Sequence, residues 1–531
     1  MRGDAGGLLK DLERPEAYPE PRPTTVRLVT THISWVFITD HDVWKLKRPV
    51  DYGFVDYTTL ERRRRFCHEE VRVNSRLAPG VYLDVVPVRL EQGRHSFTSN
   101  GIVVDYAVRM RRLAETANAE SLLRHGHLTH DHLARLAARL AAFYATSPPP
   151  SPSSSLGILR ANVEENFDQV RPFVGRLVES SAFEAVRTWQ VGWLERKADV
   201  FEARHVQGRI RDGHGDLRLE HVYFEDGEIL VIDAIEFNQR FRVTDVAADV
   251  AFLAMELDAR GRPDLAGSFL AEFALTSADY DLYAVVDFYL SYRAWVRGKV
   301  ASFLAADPST GPEKAQRKSR EAERLFTLAR RYAEPPVDPG PVVAVGGLIG
   351  AGKSTLARAL GRSLGIPVVD SDRTRKALAG VPPTEQASAE AYSGEFSRRT
   401  YDELLRRADV VLGSGRGVIL DASFRSRDLR RRARELAVRH GRQFRFVEAV
   451  CDDATLRARL RARAATGASV SDATEDLLDR FRREFEPVTE LGADEHVPVS
   501  TTVPMSAQVD AVRNTMPPLR RSDTRMKGAQ V

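Results

Sequence analysis

The sequence predicts a multidomain protein of mixed α+β and α/β class, with an α+β domain followed by a doubly wound parallel sheet. The chain has 531 residues, which is more than one hydrophobic core supports. Short strands dominate from Val26 to Met110, and helices dominate the region after it. At 342–364 a buried strand, a glycine-rich turn and an amphipathic helix follow one another, which is the order of a strand–loop–helix unit in a parallel sheet.

The residue composition indicates which partners and which cellular location are expected. Basic residues number 78 and acidic residues 74, so the net charge of +4 is no sign of nucleic-acid binding, and nucleic acid is not an expected partner. Only Cys67 and Cys451 are present, so no disulfide framework is expected. Neither a signal peptide nor a membrane-length apolar run is predicted, and we expect a cytoplasmic protein without a membrane partner. The sequence predicts no oligomeric state.

A phosphate-binding loop is the most specific motif in the chain. It follows the apolar run Val342–Val345 and fits G-x-x-x-x-G-K-[ST]. Glycines let successive backbone N–H groups face a phosphate, Lys353 would reach the β- and γ-phosphates, and the Ser354 hydroxyl would hold Mg²⁺. The predicted nucleotide-binding residues are Gly347, Leu348, Ile349, Gly350, Ala351, Gly352, Lys353, Ser354 and Thr355.

Carboxylates follow the later strands of this second half. Asp370 and Asp372 come directly after the strand Val368–Val369, at the edge that faces the crevice of a parallel sheet. Asp372 is the predicted base toward a substrate hydroxyl, whereas Asp370 could equally be a helix N-cap. Arg375, in the following helix, could hold a substrate anion. Asp421 ends another buried strand and is a predicted ligand of Mg²⁺ or of its water shell.

An arginine-rich helix over Leu456–Ala464 is interpreted as a lid. Arg459 and Arg463 share one face of this helix. In small-molecule kinases a mobile arginine-bearing segment covers the transferring phosphoryl group, where positive charge stabilises the transition state. The lid loop is predicted at Gly467–Asp472 and the returning helix at Asp476–Phe485. A solvated arginine-rich face is the alternative.

In the first half, acidic residues surround a predicted hairpin. Its strands, Val222–Phe224 and Ile229–Ile232, flank an Asp-Gly turn. Asp216 precedes the hairpin and Asp233 follows it, so one carboxylate could accept a hydroxyl proton while the other holds a metal on nucleotide phosphates. The alternative is a transition-metal hydrolase cluster made of His214, Asp216, His221 and Asp233.

Residues 30–332 resemble the aminoglycoside phosphotransferase family, which is related to protein kinases. The resemblance rests on the order His214-Gly215-Asp216, hairpin, Ile232-Asp233 after a strand-rich region. It implies a protein-kinase-like bilobal domain with a nucleotide cleft between the lobes. It also implies roles for single residues: Asp216 as the catalytic aspartate, Asp233 as a metal ligand, Lys45 or Lys47 as the lysine on the α/β-phosphates, Glu70 or alternatively Glu69 as its helix partner, and Met110 to Leu113 as the hinge beside adenine.

Two departures from that family bear on catalysis. His221 stands five residues after Asp216, where the family usually has Asn. Because imidazole is a poorer Mg²⁺ ligand than an amide oxygen, either Mn²⁺ is tolerated or the second ion is held differently. The N-lobe also carries no G-x-G-x-x-G loop. A degenerate, ATP-binding or regulatory lobe is therefore the alternative to a catalytic one.

Residues 341–505 resemble the P-loop kinase group of the AAA_33 type, which includes zeta toxins, polynucleotide kinases and small-metabolite kinases. The resemblance implies Asp372 as base, Arg375 as a substrate-phosphate contact, and Arg459 and Arg463 as lid residues. The predicted organisation is an N-terminal segment at 1–25, a kinase-like domain at 26–333 (N-lobe 26–112, C-lobe 113–333), a proline-rich linker at 334–340, a P-loop domain at 341–516 and a disordered tail at 517–531.

Together these features predict an ATP- and Mg²⁺-dependent phosphotransferase that moves the γ-phosphoryl group of ATP to a hydroxyl of a small polar metabolite. Two nucleotide sites are expected, one in each half. The first alternative is a nucleotide-sensing regulatory protein with a degenerate kinase-like domain, and the second is a polynucleotide end kinase. The acceptor is not predicted, because acceptor pockets in these folds are built from variable side chains.

Overall fold

The computed structural model describes residues 5–149, 156–335, 339–466 and 474–516. The chain separates into two compact units, of which unit 1 comprises Met1–Ala161 and Glu202–Glu256, and unit 2 comprises Asn162–Phe201 and Leu257–Val531. The domain borders predicted from the sequence stay a prediction. The predicted tail, the predicted lid loop and residues 336–338 of the predicted linker lie outside the described residues.

Unit 1 is built around a six-stranded antiparallel sheet. The strands are β1 Arg27–Thr30, β2 Ser34–Ile38, β3 Asp42–Lys47, β4 Tyr82–Glu91, β5 Arg94–Ser96 and β6 Ile102–Arg111, in the spatial order β1-β2-β3-β6-β4-β5. Alternation along β3 places Trp44 and Leu46 in an apolar cluster with Trp35 and Phe37. Lys45 and Lys47 therefore share the other face, because side-chain direction alternates along a strand.

Helices and two small strand pairs complete the first half of the chain. The helices are α1 Ala5–Leu12, α2 Leu60–Asn74, α3 Ala119–Arg124, α4 His130–Thr146, α5 Leu156–Val170, α6 Ser180–Arg196, α7 Ala198–Val206, α8 Gln239–Arg242 and α9 Val246–Ala259. Two antiparallel pairs join β7 Ile210–Asp212 to β10 Val243–Asp245 and β8 Val222–Glu225 to β9 Glu228–Val231. The predicted hairpin is confirmed.

Unit 2 contains a five-stranded parallel sheet. Its strands are β11 Val342–Gly346, β12 Val368–Asp370, β13 Val418–Asp421, β14 Phe444–Val450 and β15 His496–Ser500, in the order β12-β13-β11-β14-β15. After α9, the helices of this unit are α10 Pro263–Ser277, α11 Val286–Ala306, α12 Pro312–Ala333, α13 Lys353–Leu364, α14 Ser371–Ala379, α15 Gly394–Gly413, α16 Arg427–Arg439, α17 Asp453–Thr466, α18 Leu478–Glu484 and α19 Met505–Arg513. This is the predicted doubly wound α/β sheet.

The core of the parallel sheet explains why these residues form these elements. Val343 and Val345 of the central strand β11 pack with Leu356 and Leu360 of α13 and with Val512 of α19. The fully buried strand and the i, i+4 leucines of the helix match the periods that the sequence shows. The turn between β11 and α13 is thereby held at the carboxyl edge of the sheet. Within the described residues, the helices are all too short or too polar to cross a membrane.

Candidate functional site

Two lysines of β3 face helix α2 in unit 1. Lys45 Nζ lies 2.7 Å from Glu70 Oε1 and 2.5 Å from Asp233 Oδ1. Lys47 Nζ lies 2.5 Å from Glu70 Oε2. Glu70 is therefore the helix residue that pairs with both lysines, whereas Glu69 forms an ion pair with an arginine of its own helix at 2.6 Å.

The two lysines differ in burial. The side chain of Lys47 is 0% exposed and that of Lys45 is 14% exposed. Lys47 also contacts Glu236, whose carboxylate accepts a hydrogen bond from the Tyr57 hydroxyl at 2.5 Å. Burial would lower the pKa of Lys47, but the charges of Glu236 and Glu70 outweigh it and raise the pKa. Lys47 is thus enclosed in an ionic network, and Lys45 lies at its accessible side.

Asp249 fixes the backbone of the loop that carries Asp216. The Asp249 carboxylate accepts hydrogen bonds from the backbone N–H groups of His214 at 2.7 Å and Gly215 at 2.9 Å. The His214 ring lies 2.9 Å from the Ile232 carbonyl oxygen through Nε2, and burial lowers the pKa of His214 to about 4. The Asp216 side chain is 30% exposed, so it is accessible while its loop is fixed.

His221 lies between the two predicted acids. Its Nδ1 is 2.9 Å from the backbone carbonyl oxygen of Asp216, and its Nε2 is 3.6 Å from Asp233 Oδ2. Asp233 itself has a left-handed φ of 66°, and its N–H donates to the Tyr82 hydroxyl at 3.0 Å. Partial burial would raise the pKa of Asp233, but the charge of Lys45 outweighs it and holds the pKa well below its usual value. The metal-binding roles of His221 and Asp233 stay predictions.

The predicted hinge residue Met110 lies near the end of β6 and is buried. It belongs to an apolar cluster with Leu230, against which half-buried Val43, Leu113 and Ile232 pack. These side chains come from the sheet, the segment after it and the hairpin. Their apolar surface could contact a flat ring such as adenine, and this role stays a prediction.

The glycine-rich loop of unit 2 has the backbone that a phosphate cradle requires. Gly347, Gly350 and Gly352 have positive φ angles of 126°, 78° and 87°. A Cβ at Gly347 would lie 2.6 Å from the Ala449 carbonyl oxygen, so no larger residue fits without a shift. Lys353 Nζ donates to the Leu348 carbonyl oxygen at 2.8 Å across the loop. The loop therefore encloses the lysine at the start of α13, the end of a helix that favours anions.

The carboxylates of unit 2 meet beside this loop. Asp370 and Asp421 are paired in register at the ends of neighbouring strands β12 and β13. Burial and the charge of Asp370 together raise the pKa of Asp421 to about 7, although the hydrogen bond from Ser354 opposes this shift. Burial lowers the pKa of Lys353, and the charges of Asp421 and Asp372 oppose that shift. The predicted lysine, hydroxyl and acids are therefore brought together.

Asp370 and Asp372 have different surroundings. The Asp370 carboxylate accepts a hydrogen bond from the Arg373 N–H at 2.9 Å and caps helix α14. Asp372 is half-buried in the first turn of that helix. The N-cap alternative for Asp370 is thus confirmed, and Asp372 remains the predicted base.

The arginines predicted for the lid occur on α17. Arg459 donates to the Thr501 hydroxyl at 2.9 Å and to the Thr501 carbonyl oxygen at 2.8 Å. Its Nη1 lies 3.3 Å from the position that a Cβ would take at Gly352, so the guanidinium borders the phosphate-binding loop. Arg463 is half-buried on the same helix. The lid roles of both arginines stay predictions.

Arg375 is buried beside helix α15. Its Nη1 donates to the Ala391 carbonyl oxygen at 2.6 Å and to Ser397 Oγ at 3.3 Å. The guanidinium lies 4.9 Å from the centre of the Tyr392 ring. Part of its hydrogen-bonding capacity is therefore used within the protein, and the predicted anion contact stays a prediction.

The sequence does not predict the roles of three residues beside the phosphate-binding loop: Tyr401, Ser423 and Phe424. Tyr401 is 3.0 Å from Ser423 Oγ and accepts a hydrogen bond from the Phe424 N–H at 3.2 Å. Phe424 has a φ of 45°, and the Ser423 carbonyl oxygen accepts a hydrogen bond from the Gly347 N–H at 3.1 Å. This turn holds the first glycine of the loop. The only signal for this turn in the sequence is that the turn comes directly after Asp421.

The donor set in unit 2 fits Mg²⁺. Ser354 and Asp421 offer oxygen atoms that are hydrogen-bonded to each other, and Mg²⁺ is usually held by one or two carboxylates together with substrate phosphates. The raised pKa of Asp421 also fits Mg²⁺ binding, because a neighbouring cation stabilises the ionised form of a buried carboxyl group. Within the described ranges, no three His, Cys, Asp or Glu side chains form a ready metal cluster.

One family model and several known proteins match parts of this chain. The AAA domain family model matches residues 342–488. The uncharacterized protein Rv2004c of Mycobacterium tuberculosis (strain ATCC 25618 / H37Rv) is 31% identical over 431 residues, which are 80% of this chain and 83% of the relative. A shikimate kinase of Burkholderia pseudomallei (strain 1710b) is 38% identical over 85 residues, which are 16% of this chain and 46% of the kinase. The structure of a choline/ethanolamine kinase family protein from Mesorhizobium loti aligns with 62% of this chain and 98% of its own, at 12% identity and a TM-score of 0.36.

Proposed function

This chain belongs to the family of the mycobacterial protein Rv2004c, and we propose that it is an ATP-dependent phosphotransferase acting on a hydroxyl of a small polar metabolite. The observation that carries the proposal is the P-loop site: the Gly347–Ser354 loop lies beside the acids Asp370, Asp372 and Asp421. The stretch shared with a shikimate kinase supports the same class of reaction.

The proposed reaction uses these residues in named roles. The oxygen of the acceptor hydroxyl bonds to the γ-phosphorus of ATP, and the bond from that phosphorus to the β–γ bridging oxygen breaks, so that ADP leaves. Asp372 takes the hydroxyl proton. Lys353 and the loop N–H groups hold the β- and γ-phosphates, and Arg459 adds positive charge beside them. Mg²⁺, held by Ser354 and Asp421, would neutralise phosphate charge when bound.

Unit 1 supplies a second site of the same class in this proposal. Asp216 is accessible and its loop is fixed, which suits a base toward an acceptor hydroxyl. Lys45 would contact the α- and β-phosphates and Asp233 would hold the metal on them, because both lie at the accessible side of the network. His221 leaves one imidazole nitrogen facing Asp233, so Mn²⁺ suits this site as well as Mg²⁺.

Turnover of ATP against a panel of sugars, aminoglycosides and nucleosides tests the proposal. We expect substrate-stimulated turnover in the wild-type protein. Loss in Lys353→Ala with activity kept in Asp216→Ala assigns the reaction to unit 2, and the reverse assigns it to unit 1. Absence of stimulated turnover with every acceptor would refute the phosphotransferase function for this panel. Product identification by mass spectrometry after incubation with cell extract and ATP extends the test to acceptors outside the panel.

A regulatory, nucleotide-sensing role is the second candidate, and the ion pairs of unit 1 favour it. Asp233 already pairs with Lys45, and Glu236 already pairs with Lys47. A nucleotide would have to compete with these contacts. This candidate predicts tight ATP binding with negligible product formation, so calorimetric binding compared with product formation separates it from the first. A cytoplasmic location stays a prediction under both.

A further inference from the structure

A hydrogen bond links the helical segment of unit 2 to the end strand of the parallel sheet. The Tyr280 hydroxyl donates to the Val368 carbonyl oxygen at 2.6 Å, and Tyr280 is 3% exposed. Strand β12 is an edge strand of the sheet. The backbone N–H and C=O groups along the outer side of an edge strand are not paired with a neighbouring strand. Tyr280 therefore holds β12 two residues before Asp370.

Arg407 extends this contact to helix α14. Its guanidinium lies 5.4 Å from the centre of the Tyr280 ring. Its Nη1 donates to Thr374 Oγ1 at 3.2 Å, and its Nε donates to Glu403 Oε1 at 2.8 Å. Thr374 follows Asp372 by two residues on α14. One arginine thus contacts both the tyrosine that holds the strand and the helix that carries the predicted base.

Further contacts keep the helical segment against the sheet domain. A Cβ at Gly267 of α10 would lie 2.8 Å from the Gly365 carbonyl oxygen, so the two backbones approach as closely as glycine allows. Two ion pairs flank the Tyr280 contact: Arg406–Asp281 at 2.8 Å and Arg416–Asp287 at 2.6 Å. Several independent contacts therefore fix the position of Tyr280 relative to β12.

We propose that Tyr280 and Arg407 are positioning residues of the P-loop site, an inference that rests on the phosphotransferase function proposed above. They hold β12 and α14 so that Asp372 meets the acceptor hydroxyl. The nucleotide contacts are expected from the loop before α13, whereas Tyr280 and Arg407 contact β12, α14 and Glu403 of α15. A displacement of about 1 Å in a catalytic group can lower a rate ~100-fold. Changes at Tyr280 should therefore slow the reaction without weakening nucleotide binding.

The test uses the full-length Tyr280→Phe variant, which removes the hydroxyl and keeps the ring. Tyr283→Phe is the matched control, because Tyr283 lies in the same turn and its ring contacts Arg416 at 5.5 Å. We expect Tyr280→Phe to lower the kcat of ATP turnover ~10-fold and to leave the KM for ATP within about twofold. Amide hydrogen exchange over residues 368–379 should become faster, while exchange over the loop 347–355 stays unchanged.

Three outcomes of this test bear on the proposal. Wild-type kcat and wild-type exchange in Tyr280→Phe would overturn the proposal. A parallel loss of kcat and ATP affinity would also overturn it, because that result indicates general disruption of the sheet. If the wild-type protein turns over no ATP with any acceptor, the phosphotransferase function fails instead, and the exchange rates alone decide whether Tyr280 holds β12.

Discussion

Asp370 and Asp421 lie opposite each other at the carboxyl ends of two neighbouring parallel strands. They are 5% and 3% exposed. Burial raises the pKa of both carboxyls, and the neighbouring acids add to the shift in each case. Two buried acids this close favour a cation or a shared proton between them. The proposed reaction in unit 2 uses Asp421 of this pair and Lys353 beside it.

Removal of one charge from the pair should stabilise the empty protein. Asp421→Asn is expected to raise the free energy of unfolding by ~1 kcal/mol, because it removes a buried like-charge contact. The same variant should lose ATP turnover, since it removes a metal ligand. Urea unfolding and turnover measure the two effects, with exposed Asp510→Asn as the control. An Asp421→Asn protein that is less stable and fully active would contradict this view of the pair.

The two lysines of β3 should respond differently to substitution. Lys47→Met leaves Glu70 and Glu236 buried with one cation fewer, so we expect a loss of ~3 kcal/mol in the free energy of unfolding. Lys45→Met affects a side chain at the accessible side, so its loss of stability should be smaller and its loss of nucleotide binding larger. Thermal unfolding and nucleotide titration of both variants check this prediction. Equal effects of the two substitutions would show that the burial difference between the lysines has no consequence.

Arg459 should contribute to turnover more than its exposed neighbour on α17. Arg459→Ala removes positive charge next to Gly352, and we expect kcat to fall ~10- to 100-fold with a smaller change in ATP affinity. Arg461→Ala is the matched control, because the Arg461 side chain is 65% exposed and lies 3.7 Å from Glu475. Equal turnover in the two variants would indicate that Arg459 serves only to hold Thr501.

His214 makes stability depend on pH. Its folded-state pKa of about 4 lies below the usual value of 6.5, so below pH 6.5 the unfolded chain binds a proton that the folded chain does not. The stability contributed by neutral His214 is complete above pH 6.5 and is lost as the pH falls toward 4, by ~2 kcal/mol between pH 6.5 and 5. Urea unfolding at pH 7 and pH 5 should show this loss in the wild-type protein and in exposed His68→Asn, and a smaller loss in His214→Asn. An unchanged pH slope in His214→Asn would contradict the assignment.

Local patterns predict much of both units. Alternating residues mark the strands of the first sheet, and the spacing of two residues between the lysines of β3 is enough to put both on one face of the strand. The loop before α13 is predictable because its chemistry is confined to a short motif. Proline accounts for one helix boundary: α5 ends at Val170, just before a turn that contains Pro172.

Contacts between distant residues explain what local patterns miss. Tyr57 and Glu236 are 179 residues apart, and Tyr280 and Val368 are 88 apart. No local period reports such pairs. Strand β15 is also missed, because it is short, contains Pro498 and is defined mainly by its parallel pairing with β14. The choice between Lys45 and Lys47 likewise depends on burial that only the assembled sheet and helix create.

The number of nucleotide sites tests the central claim most directly. Calorimetric titration of the full-length protein with a non-hydrolysable ATP analogue and Mg²⁺ should give two sites per chain. Lys353→Ala and Lys45→Met should each give one site, and the double variant should give none. A wild-type protein that binds no analogue, or a Lys353→Ala protein that binds as many molecules as the wild type, would contradict the account.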